Sequence, residues 1–81
     1  MVHMVRVNVE QGSYLFKLDD LLSSNNISIN KLMRETNTDY KVIKRIKTGD
    51  LSKMDITVLA RLCDFLDCKL YDIVEYIPNY K

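Results

Sequence analysis

Histidine, cysteine and glycine are scarce in this 81-residue sequence, and the scarcity of each argues against a class of active site. The only histidine, His3, stands near the N-terminal end, so we do not expect a catalytic Cys-His or Ser-His pair. Cys63 and Cys68 do not make a zinc set, and neither glycine belongs to a phosphate-binding loop. The sequence therefore predicts no enzyme, no metal site, no cofactor and no small-molecule ligand.

Long apolar runs are also missing. No run approaches the roughly 18 residues that span a bilayer, so no membrane association is expected. The N-terminus lacks a basic segment followed by an apolar one, which makes the cytoplasm the expected compartment. A disulfide is not expected there. Cys63 lies on an apolar stripe and is interpreted as a small core residue, and Cys68 as a semi-buried residue at a helix cap.

The length and the 47% apolar content fit one small domain over residues 1–81. We predict an N-terminal strand or hairpin over residues 4–16 and a helical bundle over residues 17–78. Residues 4–9 alternate apolar and polar side chains like a half-buried strand. The segment Gln11-Gly12-Ser13 reads as a turn, and Tyr14–Phe16 as a second strand.

Helical spacing governs most of the remaining sequence. A leucine stripe begins at Leu18 and ends near Asn25-Asn26. Asp55 caps a helix whose predicted apolar stripe comprises Ile56, Leu59, Leu62, Cys63 and Leu66. A short helix is predicted over about Leu70 to Val74. The tail from Glu75 is extended, because Pro78 disfavours helical geometry in its predecessor, and we expect it to pair with an N-terminal strand.

Residues 28–49 predict two short helices joined by a three-residue turn. Ser28 is a good N-cap for the first helix, and Leu32 is its clearest inward residue. Asn37 suits the left-handed position after that helix, and Thr38 and Asp39 complete the turn. A turn this tight makes the two helices cross steeply, so that the second stands out from the domain.

The second of these helices has two different faces. Asp39 is expected to cap it through its carboxylate, and Gly49 to end it. Val42, Ile43 and Ile46 form an apolar arc. The opposite side, here called the cationic arc, comprises Tyr40, Lys41, Lys44, Arg45, Lys47 and Thr48. Such a helix suits the major groove of DNA, although a solvated basic face on an ordinary amphipathic helix gives the same pattern.

The formal charge is unevenly distributed along the chain. Residues 30–53 carry seven cationic and three anionic side chains, a net charge of +4. Residues 1–29 carry −1 and residues 54–81 carry −2, which leaves only +1 overall. Because local potential steers a polyanion, this distribution favours nucleic-acid binding by the central segment.

The order of elements resembles the phage-repressor (Cro/cI-type, or XRE) helix-turn-helix family over roughly residues 15–78. The resemblance is carried by Leu18-Asp-Asp-Leu-Leu22, Ile27-Ser-Ile-Asn-Lys-Leu32, Asn37-Thr-Asp39, Ile43-x-x-Ile46-x-x-Gly49-Asp50, Leu59-x-x-Leu62-Cys63 and Leu66-Asp-Cys68 leading to Asp72-Ile73. It implies a mainly α, five-helix repressor-like bundle. It also implies base contacts by Tyr40, Lys41, Lys44 and Arg45, and phosphate contacts by Ser28, Asn30, Lys47, Thr48 and Lys53.

The sequence departs from the family pattern at three places. Met33 occupies a position that is usually small, which can widen the helix pair, and Asn37 stands where the turn usually has glycine. The N-terminal run before Tyr14 is long for the family. It can mediate dimerisation, or His3-Met4 can mark a cloning junction, with Met4 the native start.

The expected function is that of a sequence-specific transcriptional regulator that binds double-stranded DNA as a homodimer. The alternative is a protein-interaction module, such as an antitoxin or a domain that docks on a partner regulator. In that alternative the cationic arc meets an acidic protein and the strand containing Val5, Val7 and Val9 pairs with another chain.

Overall fold

The computed structural model describes residues 4–50 and 52–79, and in this range it contains five helices and a three-stranded antiparallel sheet. His3 and the proposed cloning junction before Met4 lie outside the described residues. The elements are β1 (Val5–Val9), β2 (Gly12–Phe16), α1 (Leu18–Ser24), α2 (Ile29–Thr36), α3 (Tyr40–Thr48), α4 (Ile56–Leu66), α5 (Leu70–Ile73) and β3 (Val74–Pro78). No helix in the described part of the chain is long and apolar enough to cross a membrane.

The sheet has the strand order β1-β2-β3, so the central strand is β2. This arrangement confirms the predicted hairpin and the predicted pairing of the C-terminal tail with an N-terminal strand. The predicted turn at Gln11-Gly12-Ser13 is present but displaced, since only Gln11 of the three lies in it. Val9 pairs with Gly12, which leaves Glu10 and Gln11 as the loop and places Gly12 and Ser13 in β2.

Gly12 lies in β2 at a point where the backbone of β3 approaches closely. A Cβ atom at this position would lie 2.8 Å from the Cα atom of Pro78 and would also meet the carbonyl oxygen of Ile77. A glycine inside a strand often marks such a close backbone approach. The glycine therefore permits β3 to pack against β2, and it does not form the hairpin turn.

The core lies between the helices and is built from eight buried apolar side chains. They are Leu18, Leu22, Leu32, Ile43, Ile46, Val58, Leu62 and Ile73. The prediction that Ile56 lies on the buried stripe of α4 is wrong, because its side chain is 82% exposed. The face of α4 that meets the core runs through Val58 and Leu62, and Ile56 lies off that face in the first turn.

The helix ends mostly follow the predicted capping residues. The stop after α1 is confirmed, with Asn25 as the C-cap and Asn26 in a left-handed conformation. The Asp55 carboxylate accepts a hydrogen bond of 2.7 Å from the Thr57 N–H group at the start of α4. The last helix ends one residue earlier than predicted, because Val74 pairs with Phe16 and begins β3.

Both cysteines are free thiols, and each is half-buried. Cys63 packs against the edge of the core, so its assignment as a core residue is too strong. Asp67, with φ of 52°, occupies the C-cap of α4, and Cys68 follows it. Burial, with a smaller contribution from Cys63, raises the pKa of the Cys68 thiol to about 11. This thiol is therefore protonated at neutral pH and is a poor nucleophile.

Gly49, the C-cap of α3, lies close to side chains of the β1–β2 hairpin. Its φ of 87° is left-handed, as predicted, and its backbone N–H donates to the Arg45 carbonyl. A Cβ atom on Gly49 would lie 2.6 Å from Cγ2 of Val7 and 3.4 Å from Cδ1 of Phe16. Glycine is needed here both for its backbone conformation and for the space that the hairpin occupies.

We expect Gly49→Ala to lower the free energy of unfolding by about 1–3 kcal/mol, because it combines a left-handed alanine with a crowded Cβ atom. Asn37→Gly is the matched control, since Asn37 is also left-handed and glycine carries no penalty there. The control should stay within about 0.5 kcal/mol of the wild type or become slightly more stable. Urea unfolding measures both, and equal effects would contradict the importance of the Gly49 contact.

Candidate nucleic-acid interface

The two helices and the turn predicted over residues 28–49 are present. Ser28 caps α2, and its Oγ atom accepts a hydrogen bond of 3.1 Å from the Lys31 N–H group. Asn37 ends α2 with φ of 50° and ψ of 48°, a left-handed conformation that asparagine tolerates. Thr38 and Asp39 complete the three-residue turn before α3 begins at Tyr40.

Buried threonines on both sides of Asn37 hold this turn, and the sequence reasoning missed them. The Thr36 hydroxyl donates to the Leu32 carbonyl at 2.6 Å and lies 2.9 Å from the Thr38 hydroxyl. Thr38 Oγ1 in turn lies 3.0 Å from the Thr36 carbonyl. The Nε–H group of Arg61, on α4, donates to that same carbonyl at 2.8 Å. The only signal in the sequence is a threonine on each side of a left-handed asparagine.

The apolar arc of α3 is confirmed as the anchored side of the helix. Ile43 and Ile46 are fully buried, and Val42 is half-buried against the core. On the other side, four members of the cationic arc are exposed, namely Tyr40, Lys41, Lys44 and Thr48. Arg45 and Lys47 are half-buried.

Asp39 occupies the predicted N-cap position, but its carboxylate makes no capping hydrogen bond, so that part of the prediction is wrong. The backbone carbonyl of Asp39 accepts from the N–H groups of Val42 and Ile43, at 3.1 and 3.3 Å. The side chain remains exposed beside Tyr40. The start of α3 thus carries one anionic group next to the cationic arc.

An ion pair with α1 holds one end of the cationic arc. Lys47 Nζ lies 3.5 Å from Asp19 Oδ1, and the side chains are 25% and 43% exposed. Asp19 lies in the first turn of α1. The pairing joins positions 28 residues apart in the chain, so helical spacing alone does not reveal it. Lys47 is consequently directed toward α1 in the free protein.

The side chains predicted to contact phosphate differ in whether their hydrogen-bond donors are already used within the protein. The Ser28 hydroxyl accepts its capping bond, which leaves its own proton available to an anion. The Thr48 hydroxyl donates to the Lys44 carbonyl at 2.8 Å, so a phosphate contact requires it to give up that bond. Asn30, in the first turn of α2, and Lys53, in the loop after α3, are both exposed.

Asp50, which follows the C-cap of α3, accepts two hydrogen bonds from Ser52. Its Oδ1 atom accepts from the Ser52 N–H group at 3.0 Å and from the Ser52 hydroxyl at 2.6 Å. These bonds hold the pKa of the Asp50 carboxyl below its ordinary value, and the charges of Arg45 and Lys53 act in the same direction. The sequence reasoning assigned no role to Asp50 or Ser52.

The consecutive helices α2 and α3, the left-handed turn between them and the largely exposed cationic arc define a helix-turn-helix domain. A family model described as the Cro/C1-type HTH DNA-binding domain matches residues 17–79, which is most of the chain. The chain belongs to this family, and the resemblance inferred from the sequence is confirmed. No curated protein and no solved structure gave a match.

We expect Thr36→Val to lower the free energy of unfolding by about 1–2 kcal/mol. Valine keeps the shape of threonine but removes the hydroxyl that bonds Leu32 and faces Thr38. Thr57→Val is the control at an exposed helical threonine, with an expected change of less than about 0.5 kcal/mol. Urea unfolding of the two variants measures the difference, and an undiminished stability of Thr36→Val would show that the turn does not need this bond.

Proposed function

We propose that this protein is a sequence-specific transcriptional regulator that places α3 in the major groove of double-stranded DNA. The observation that carries the proposal is the two-sided character of α3. Ile43 and Ile46 hold one side against the core, while Tyr40, Lys41 and Lys44 remain exposed on the other. The net charge of +4 on residues 30–53 attracts the phosphate backbone toward this side.

The base-contacting set in this proposal is Tyr40, Lys41, Lys44 and Arg45. Arg45 can donate two hydrogen bonds to O6 and N7 of guanine, a contact worth about 1–3 kcal/mol of discrimination. Its half-buried stem limits the positions that the guanidinium can reach, which favours a directional contact. Lys41 and Lys44 read guanine or neutralise phosphates, and Tyr40 packs on a thymine methyl group or donates to a phosphate.

The phosphate-contacting set comprises Ser28, Asn30, Lys47, Thr48 and Lys53. The free hydroxyl proton of Ser28 and the exposed ammonium group of Lys53 support their membership most directly. Ser28 lies at the start of α2, before α3 in the chain, and Lys53 lies in the loop after α3. Contacts at these positions set the orientation of α3 and carry no sequence information of their own.

We also propose that the protein acts as a homodimer on a palindromic site. A single small module rarely reaches the ratio of specific to non-specific affinity that regulation needs. Two copies related by a two-fold axis read two half-sites, whose spacing reports the separation of the recognition helices. Selection of bound sequences from a random duplex pool identifies the site and shows whether it is symmetric.

Comparison of Arg45→Ala with Lys53→Ala tests the assignment of roles. On the selected site, Arg45→Ala should relax the preference at one base pair. Lys53→Ala should weaken binding to all sequences alike and lower the salt slope by about one. Titrations of the selected site and of random duplex, over a salt series, measure both effects.

Lys69→Ala, at the start of α5, is the control for loss of one positive charge outside the interface. Equal effects of Arg45→Ala and Lys53→Ala on selected and random DNA would refute the roles given to these residues. Salt-insensitive behaviour, or no binding of any duplex, would refute DNA binding and favour the protein-interaction alternative.

We expect Asp19→Asn to strengthen binding to every duplex by about two- to fivefold, because it frees Lys47 for a phosphate and removes an anion. Asp20→Asn is the neighbouring control, since it removes the same charge one residue away. It should have a smaller effect. Fluorescence anisotropy with random duplex measures both, and weaker binding by Asp19→Asn would mean that the carboxylate positions Lys47 for its contact.

A further inference from the structure

The outer edge of β1 is open. In the described residues 4–50 and 52–79, β1 pairs with β2 on one side and with no strand on the other. Its sequence, Val-Arg-Val-Asn-Val, contains no proline and no lysine, and its register with β2 runs without a bulge. Natural proteins often protect an edge strand with a proline, a lysine or a bulge. The one charged side chain of β1, Arg6, opposes pairing with a strand that places a cation opposite it, so the edge is suited to a strand that supplies an anion there.

The backbone groups on this open edge belong to Arg6 and Asn8. A two-residue loop is flanked by a residue pair that exchanges hydrogen bonds, which here is Val9 and Gly12. Every second residue of β1 back from Val9 therefore faces β2. The N–H and C=O groups of Arg6 and Asn8 point the other way, toward solvent.

We propose that this edge pairs antiparallel with β1 of a second copy of the chain, centred on Asn8. Asn8 then faces Asn8 of the partner subunit, and the side chain of Arg6 meets that of Glu10 of the partner subunit. Glu10 is the first residue of the hairpin loop and its backbone carbonyl accepts from Asn79, so it contributes its exposed carboxylate and not a backbone bond. The two-fold axis repeats the Arg6–Glu10 pair, so the interface contains it twice. We choose a second copy of the chain as the partner because this pairing brings the cation of each copy, Arg6, to the anion of the other, Glu10. The inference rests on the homodimer proposed above and specifies its interface.

Charge selects this register over its neighbours. Pairing centred on Arg6 would place Arg6 directly opposite Arg6 of the partner subunit, and like charges in that position are destabilising. Pairing centred on Val7 would place Arg6 opposite Asn8 of the partner subunit and would leave Glu10 without a cationic partner. Both Arg6 and Glu10 are exposed. One guanidinium nitrogen of Arg6 already donates to Ser13 Oγ at 2.8 Å, which orients the group and leaves further N–H donors for a carboxylate.

The face of β1 that does not carry Arg6 and Asn8 carries Val7 and Val9, and it provides apolar contact in the same register. Val7 faces Val9 of the partner subunit, and Val9 is 40% exposed in the isolated chain. Tyr14, which pairs with Val7, lies next on this side, and its ring centroid is 5.2 Å from that of Tyr76. The two rings extend the apolar surface beside the junction. One strand pair buries little area, so we expect a weak dimer that DNA with two half-sites stabilises.

Charge-reversal variants test the register by sedimentation equilibrium without DNA. Arg6→Glu makes both cross-strand pairs acidic, and Glu10→Arg makes both basic, so each variant alone should dimerise at least about tenfold more weakly than the wild type. Mixed together, the two variants form Glu–Arg pairs at both places. The mixture should recover association to within about threefold of the wild type.

Two controls separate pairing from general charge and from folding. Lys31→Glu and Asp64→Arg carry the same charge changes at exposed helical positions, and these variants should self-associate like the wild type alone or mixed. Asn8→Pro removes an outward N–H group and leaves the bonds of β1 to β2 intact, so it should give a folded monomer. Urea unfolding confirms that each variant is folded.

A wild-type chain that stays monomeric at all concentrations overturns the inference, as does a dimer that Asn8→Pro leaves unchanged. Failure of the Arg6→Glu and Glu10→Arg mixture to associate overturns the register. Duplex binding by the wild type and by Asn8→Pro is measured separately. A dimer that binds no DNA refutes the proposed function and leaves the interface standing, whereas a monomer that binds DNA does the reverse.

Discussion

The burial of Ile43 and Ile46 is the interaction on which the remaining structure depends. These side chains, both fully buried, fix the rotation of α3 about its own axis. Because residues of a helix follow one another at about 100°, fixing this rotation also decides which residues face solvent. Rotation that brought the next residue inward would place Lys44 and Lys47 where Ile43 and Ile46 now lie, at a large cost in desolvation. The exposed polar side of α3 is thus a consequence of how its apolar side packs.

Much of the fold follows from local sequence signals. The residues that begin and end the helices, Ser28, Asn37, Gly49 and Asp55, were identifiable because each capping geometry favours few side chains. The exposed part of the candidate interface followed from the same helical period. The bounds of the hairpin turn and the position of Ile56 were predicted wrongly. Gly12 was read by its usual role in turns, and Ile56 by its spacing from Leu59, although packing against neighbouring elements decides both positions.

The contacts that hold the candidate interface in place were not predictable, because they join residues distant in sequence. Arg61 bonds the turn from α4, and Asp19 pairs with Lys47 from α1. Periodicity reports which face of one helix is buried but not which residue of another helix lies opposite. A capping residue can be recognised within four positions of sequence, whereas these bonds appear only when the helices have been assembled in space.

The segment after β3 is hydrogen-bonded to the loop of the β1–β2 hairpin. β3 pairs with β2 across 58 to 66 residues of sequence, and beyond β3 the Asn79 N–H donates to the Gln11 carbonyl at 3.0 Å. The Asn79 side-chain amide donates to the Glu10 carbonyl at 3.0 Å. Pairing at such separation requires loop-closure entropy to be overcome first, whereas the helices depend on nearby residues. During synthesis the helices can therefore form while one edge of β2 is still open, and β3, which follows the helices in the chain, then completes the sheet.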